Sequence, residues 1–478
     1  MSPTRVESIG ARRIVVVVTA LISILAGCVT RDPPTPEALQ RDAMPSVKLP
    51  SAWVTPAGEG TVGDGWLAGL GDAQLEKLVD EALSHNADLQ VAAARVARAN
   101  AAVRVAGGKL YPAANVLARA GGPLSGDGSG LEGALFNLSW ELDLWGRVRY
   151  GHSAAGAQAD AVTSDYLYAA QSLAALVAKS WFLNTEALQQ QRLAEETVAS
   201  STQLVELVQI RRRVGVANEQ ELALARADLA GFQDTLEQVR LANVNARRAL
   251  EVIVGRYPSA ELAVRETLVT VPPPVPAGVP GELLERRPDV IAAERRVASA
   301  FNRKQEAKAA LLPRISLTGS VGTITSELFV LQGNSDIASA GVGLFAPIFE
   351  GGALRAQVKA RSAEQNEAMA QYAAVGLRAF NEVETALAAE HTLERRAAIL
   401  TEGVQDNRRA LELVRLQYQV GKASLFDVLQ QQMRLYSANS SLVRVNAERL
   451  AQRVNLYLAL GSNFSSPAPV PVAAVSAP

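Results

Sequence analysis

Almost every landmark in this 478-residue chain occurs twice, 201 to 206 residues apart. Asn86-Ala87-Asp88 returns as Arg287-Pro288-Asp289, and Leu110-Tyr111-Pro112 returns as Leu311-Leu312-Pro313. The segment from Trp140 to Gly146 faces Leu344 to Phe349 and the Gly351-Gly352 pair. Val214-Gly215 matches Val420-Gly421, and Val254-Gly255 matches Leu460-Gly461. The offset drifts by only five residues, as small loop insertions produce. Tandem units that cannot each enclose a core build one shared, quasi-symmetric object.

The two copies are rich in helix formers and poor in aromatics. Apolar residues make up 48% and aromatics 5%, and Ala and Leu with Gln, Glu and Arg favour helix. Basic and acidic residues balance at 47 and 48, which argues against nucleic acid as a partner. The single cysteine, Cys28, excludes an intrachain disulfide. An apolar run from Ile14 to Leu25 follows Arg5, Arg12 and Arg13. It falls short of the roughly 20 residues a spanning helix needs and reads as the core of a signal peptide, residues 1–27. It ends in Leu25-Ala26-Gly27-Cys28, which resembles the lipobox of bacterial lipoproteins and implies lipidation, with palmitate among the acyl chains, at Cys28. No other stretch is long and apolar enough for a membrane helix, so a membrane span would have to be made of strands.

Strand signals occur as two pairs. From 134 to 144, Ala134, Phe136, Leu138, Trp140 and Leu142 alternate with Leu135, Asn137, Ser139 and Glu141, the apolar-out, polar-in pattern of a barrel strand. The spacing predicts strands over 113–120, 133–144, 314–322 and 338–348. Four strands leave open edges, which lipid does not tolerate, so a membrane reading requires copies to pool strands: two give eight, three give twelve. A long helix without proline follows each pair, from about Gly146 to Arg213 and from Ala353 to Val420, each on the order of 100 Å. Val162, Tyr166, Ala169, Leu173, Leu176, Ser180, Leu183 and Ala187 trace a coiled-coil seam on the first. Each helix turns back at Gly215 or Gly421 and returns to Gly255 or Gly461.

These landmarks set the expected domains. Residues 28–65 form a tether and 66–255 the first repeat, opened by one helix from Asp72 to about Ala106. Residues 256–280 form a Pro-rich linker, 281–461 the second repeat, and 462–478 a disordered tail.

Four stretches resemble the TolC/NodT family of outer-membrane efflux channels, in its lipoprotein, OprM-like branch. They are Trp66 to Leu89, Trp140 to Arg147, Leu283 to Val290 with Glu294-Arg295-Arg296, and Ala346 to Gly352. The resemblance implies a mainly α protein with membrane β: a homotrimer with a twelve-stranded outer-membrane barrel, continued by a periplasmic coiled-coil barrel. The linker and the N-terminal segment would form a belt around it. It implies a passive exit duct for drugs or other small toxic molecules, hence a link to antibiotic resistance. Its partners would be a periplasmic membrane-fusion adaptor, an inner-membrane proton-driven pump and outer-membrane lipid.

By the same resemblance, acids six residues past each tip glycine, Glu221 and Asp427, form a gate ring, and charged rings favour cations. The plainer alternative is two acids favoured at helix starts. Gln430 stands where many relatives carry a second Asp. Tyr418 and the run Arg211 to Arg213 lie beside the tips, placed to hold them by bonds to Glu221 or Asp427. Gly215 and Gly421 mark the turns where an adaptor would dock. The isolated histidines His85, His152 and His391 suggest no metal or catalytic centre, so neither enzyme activity nor a cofactor is expected. Two other readings remain open on sequence: a duct for ATP-driven protein export, and a lipid-anchored coiled-coil scaffold without a pore.

Overall fold

The computed structural model describes residues 31–58, 60–119, 131–326 and 335–465. Cys28, the signal segment and most of the expected tail lie outside these residues. In chain order the elements are α1 (Pro36–Ala43), α2 (Trp66–Gly69), α3 (Ala73–His85), α4 (Ala87–Gly108), β1 (Ala113–Arg119) and β2 (Leu131–Leu142). There follow α5 (Arg147–Arg213), α6 (Glu219–Val254), α7 (Pro280–Arg286), α8 (Pro288–Ala309), β3 (Arg314–Ser326), β4 (Ser335–Phe345), α9 (Ala353–Gln419) and α10 (Leu425–Ala459). No described helix is long and apolar enough to cross a membrane. Two compact units share these elements, the long helices contributing to both.

The first unit comprises Ala94–Ser164, Ile291–Val375 and the residues before 48. Its centre is an antiparallel sheet in the order β1-β2-β3-β4. Register turns the sequence alternation into rows, because directly opposite residues share a face. Val116, Phe136, Val321 and Ala338 form one apolar row across all four strands, and Trp140, Leu317 and Val342 another. On the opposite face runs a polar row, Asn115, Asn137, Ser320 and Ser339. Its members bond to each other: Asn137 donates to Asn115 at 3.4 Å, and the Ser320 and Ser339 hydroxyls lie 2.7 Å apart. The apolar face is left open, with Val321 61% and Val342 71% exposed. Among the described residues, β1 and β4 are each paired on one side only. The expected strands 133–144 and 338–348 both end early, at Leu142 and Phe345.

Each of those ends is an elbow into a long helix. In the first copy, Glu141 accepts from Nε and Nη2 of Arg147 (2.9 and 2.6 Å), and the Asp143 carboxylate accepts from the amides of Val148 and Arg149 (3.0 and 2.8 Å). Asp143 thereby satisfies amides that the start of α5 leaves unpaired. The indoles of Trp140 and Trp145 donate to the carbonyls of Leu110 and Pro313 (2.9 and 2.7 Å), just before β1 and β3.

The second unit comprises Lys48–Ala93, Asp165–Val290 and the chain from Gly376 onward. Its main core gathers Leu75, Val79, Trp181, Phe182, Leu250 and Val454. Small side chains fill the α5 face, with Ala174, Ala175 and Ala178 fully buried, and small side chains bring helix axes close. The packed stripe takes in only part of the expected seam: Leu173 is buried and Tyr166 and Ala169 pack against the core, while Leu176 and Leu183 are 44% and 54% exposed. Trp181 and Phe182, the bulkiest residues nearby, choose the buried face instead.

The single helix expected from Asp72 is two. Asn86 breaks it, its side chain accepting from Leu89 N (3.1 Å) and donating to Ile253 O (2.9 Å). The repeat-related break at Arg287-Pro288 is made differently. The buried Arg287 guanidinium donates to Asp289 (3.0 and 2.8 Å), to Glu382 (2.6 Å) and to Ala459 O (3.2 Å). Ile253 and Ala459 are themselves repeat-related, so an amide and a guanidinium hold the same helix end in the two copies. The closing glycines pack against these breaks. A Cβ on Gly255 would meet His85 at 3.0 Å, and one on Gly461 would meet Arg287 at 3.1 Å.

The segment expected as a tether is tied down. Trp53 donates to Ala277 O (2.9 Å), the amides of Val54 and Thr55 donate to Glu384 (2.8 and 3.0 Å), and Gly58 bridges Pro276. Linker residues 260–262 donate three amides to the buried Glu251 carboxylate, and buried Arg453 donates to Glu390 and to the Pro272 and Pro273 carbonyls. The N-terminal segment and the linker thus meet at Trp53–Ala277 and Gly58–Pro276. The expected disordered tail does not begin at Ser462: Ser462 donates to Gly63 O, and Gly65 donates to Asn463 O at 2.8 Å.

Candidate functional site

The two helical hairpins end in turns of one design. Gly215 and Gly421 take φ of +76° and +75°, the left-handed conformation that costs glycine nothing. Val216 N donates to Arg211 O (2.9 Å) and Gly215 N to Arg212 O (3.0 Å). In the second copy Lys422 N donates to Gln417 O (2.8 Å) and Gly421 N to Tyr418 O (3.1 Å). This paired pattern satisfies the carbonyls a helix end leaves open.

The chain then restarts through a capping box at each tip. Asn218 accepts from Glu221 N (2.9 Å), and Glu221 accepts from Asn218 N (3.0 Å). Ser424 accepts from Asp427 N (3.2 Å), and Asp427 accepts from Ser424 N (2.9 Å) and Oγ (2.6 Å). The spacing Asn-x-x-Glu and Ser-x-x-Asp is a readable signal for this arrangement. Sequence reasoning that concentrated on a ring missed it. The hydrogen bonds from Ser424 hold the Asp427 carboxyl below the ordinary Asp range. In each acid one carboxylate oxygen serves the cap.

One core joins both tips. Leu204, Val208 and Leu222 from the first hairpin pack with Leu411, Leu425 and Val428 from the second. Tyr418 is buried in it, with the Arg211 guanidinium 4.6 Å over its ring. Burial first, then the charge of Glu221, push the Tyr418 phenol up. The fold therefore brings Tyr418, Arg211 and Glu221 into one electrostatic neighbourhood.

The arginine run does not bond the two acids as expected. Arg211 donates to Gln419 O (3.1 Å), and Arg212 pairs with Glu219 (2.7 Å). Backbone and a first-turn acid are nearer acceptors, because the capping boxes have already turned Glu221 and Asp427 toward their own helices. Arg213 and Gln430 are exposed on the tip surface. Around the turns, Val214, Val216, Val420 and Phe426 are exposed apolar residues. Among the described residues no group of three His, Cys, Asp or Glu could hold a metal ion. His85 and His391 rest instead on the carbonyls of Glu81 and Pro56.

Comparison with known proteins bears on the whole chain. The family model for outer membrane efflux proteins matches residues 78–256 and 279–462, one match to each repeat. The pyoverdine export outer membrane protein OpmQ of Pseudomonas putida is 30% identical over 469 residues, covering 94% of this chain and 97% of its own. The cation efflux system protein CusC of Escherichia coli K12 is 29% identical over 446 residues, covering 88% and 94%. Among solved structures, the outer-membrane channel OprN superposes with a TM-score of 0.79 at 26% identity, over 88% of this chain and 99% of its own. The open state of the Neisseria gonorrhoeae MtrE channel gives 0.76 at 26% identity, over 91% and 98%.

Proposed function

The chain belongs to the outer membrane efflux protein family, and from that premise we propose that three copies pool their sheets into one twelve-stranded barrel. The family's members are channels of tripartite efflux systems in the outer membrane, and the TolC-like fold extends to this chain. The observation that carries the pooling of copies is the sheet itself, and the number three is what the family implies. The sheet leaves an apolar face open and two edges unpaired, and lipid tolerates such edges only when other strands close them.

In this reading the inner wall is the polar face, lined by Asn137, Ser316, Thr318 and Ser320, which hydrogen-bonds without selecting charge. Selection among cargoes then falls to the inner-membrane pump, a proton-driven transporter reached through a periplasmic adaptor docked at the Gly215 and Gly421 turns. Relatives named for pyoverdine, cations and toluene support small cargo over exported protein. The cargo of this channel is a drug or another small toxic molecule. Cys28 carries the lipid that anchors the N-terminus in the outer membrane, and the channel itself catalyses nothing.

Glu221 and Asp427 place up to six carboxylates around the closed tips of a trimer. Each keeps one oxygen beyond its cap, and a ring of such oxygens attracts cations. The expected outcome is that the double variant Glu221→Ala, Asp427→Ala weakens block of single-channel current by multivalent cations. Unchanged block would remove both acids from the gate.

A further inference from the structure

The open edges of the sheet belong to β1 and β4, and the internal repeat says how they fit together. Equivalent residues of β1 and β3 lie 201 apart, as Pro112 and Pro313 do just before them. Asn115 pairs with Asn137, and 201 residues on Ser316 pairs with Gly343. The β4 equivalent of Asn137 is therefore Gly343, 206 residues away. The elbows give the same spacing independently. Gly146 and Gly352 are both left-handed, at φ of +75° and +85°, and α5 and α9 start at Arg147 and Ala353. The likeness of Trp140 to Leu344 in sequence is thus two residues out of step with the backbone, and the structural counterpart of Trp140 is Ala346.

Within one chain, the pairing of β2 with β3 joins the first repeat to the second. A ring built from like repeats uses one joint throughout. We infer that β4 pairs antiparallel with β1 of a second copy in the register of that joint, Ala346 standing opposite the partner's Val116. This pair is the image of Trp140 opposite Leu317. By the same translation Leu138–Gly319 becomes Leu344 with the partner's Ala118, and Asn137–Ser320 becomes Gly343 with the partner's Arg119. Leu142–Ile315 becomes Ile348 with the partner's Ala114. The inference rests on the pooled-sheet reading and adds the register to it.

Side-chain size supports this register. Directly opposite residues in a sheet have Cβ atoms about 5 Å apart, and each of these four pairs sets a large residue against alanine or glycine. Phe345 and the partner's Leu117, on the pore face, join two large ones. A slide of two residues, to the register that sequence likeness gives, would crowd Leu344 against Val116 and leave Ala346 facing Ala114. The faces agree as well. Leu344, Ala346 and Ile348 continue the apolar side of β4, and Ala114, Val116 and Ala118 lie on the same side of β1, so the lipid-facing band crosses the seam unbroken. Residues 346–348 lie outside β4 because its neighbour β3 begins at Arg314, opposite Phe345. The partner's β1 supplies the missing neighbour, and β4 lengthens to Ile348, where the alternation in the sequence ends it. Pro347 is tolerated there because that stretch is paired on one side only.

The test combines Val116→Cys in turn with Leu344→Cys, Ala346→Cys and Ile348→Cys in the full-length chain, oxidised in membranes and run on denaturing gels against the single variants. The Ala346 combination should link most chains into covalent dimers and trimers, and the other two only a minor fraction. A maximum at Leu344 or Ile348 would overturn the register. Linking at none of the three, on a particle with the mass of three chains, would overturn it and leave the pooled sheet standing; a single-chain mass would remove both. An electron cryo-microscopy map of the unaltered assembly checks the same point without a variant. Ala346 opposite Val116 supports the register, and any other residue there overturns it.

Discussion

The two copies agree where a helix must turn and part where a strand must become a helix. Gly215 and Gly421 close with the same two hydrogen bonds, and Asn218–Glu221 and Ser424–Asp427 reopen with the same capping box. The elbows share only a left-handed glycine, Gly146 at φ of +75° in the first. The first is closed by Glu141, Asp143 and Arg147 and by two indole bonds. In the second, Ile348 is 95% and Phe349 87% exposed, and the turn relies on Gly351 and Gly352 at φ of +58° and +85°. A helix turn must satisfy the same backbone groups wherever it occurs, so duplication preserves its solution. An elbow at the end of a strand answers to its surroundings. The first is complete within one chain, whereas the second leaves its apolar side chains exposed.

The same contrast ranks the expected effects of mutation. The largest should fall on the helix breaks. Arg287→Ala strands Asp289 and Glu382 and should cost about 3–5 kcal/mol in denaturant unfolding. Asn86→Ala, at the matching break, removes neutral bonds and should cost about 1–2 kcal/mol. Equal costs would mean that the two breaks are equivalent after all. Next come the elbows. Arg147→Met should cost roughly 1.5–3 kcal/mol, as expected for hydrogen bonds between charged groups, while Glu350→Gln in the second elbow should stay within about 0.5 kcal/mol. Melting curves of the two variants compared side by side check this difference.

The tips should behave alike. Asn218→Ala and Ser424→Ala should each lose about 1 kcal/mol, visible as faster amide exchange in the first turn of α6 or α10. A loss at one tip only would break the equivalence of the two turns.

The smallest effect is a local pH response confined to the first copy. Glu251 is buried, which raises its pKa, but the three linker amides and Ser259 lower it further, and the net shift is downward. A carboxyl depressed in the folded state contributes stability above its unfolded value, about 4.3 for Glu. That contribution is lost as pH falls through the folded value. Protection of the amides of residues 260–262 should therefore persist at neutral pH and fade in acid, and Glu251→Gln should abolish the dependence. Its repeat partner Tyr457 stacks on Trp66 at 5.7 Å and should confer no such response.

Much of this was legible in the sequence, because the signals were local. The glycines at 215, 255, 421 and 461 each end a helix, and the alternation from 134 to 142 survives in the rows of the sheet. The break at Asn86 was hidden because the first copy lacks the proline that marks it at 288; a side-chain cap does the same work silently. The packing of residues 53–55 was hidden because its partners, Glu384 and Ala277, lie hundreds of residues away in the chain. The seam on α5 is taken up only in part within one chain, Leu173 lying in the core and Leu183 outside it, because a heptad count cannot weigh one Trp181 against several leucines. Of the candidate site, both turns fall at the glycines and both acids in the first helical turn that follows. The bonds those acids make were not sought, although Asn-x-x-Glu and Ser-x-x-Asp announce them.

The central claim is that the open apolar sheet becomes a sealed pore only when copies of the chain share it. Planar-bilayer recording on purified full-length protein, with its assembled mass measured in the same detergent, tests this most directly. The account predicts a trimeric particle that inserts with discrete, uniform conductance steps. A particle that remains a single chain, or a trimer that inserts without conducting, would contradict it.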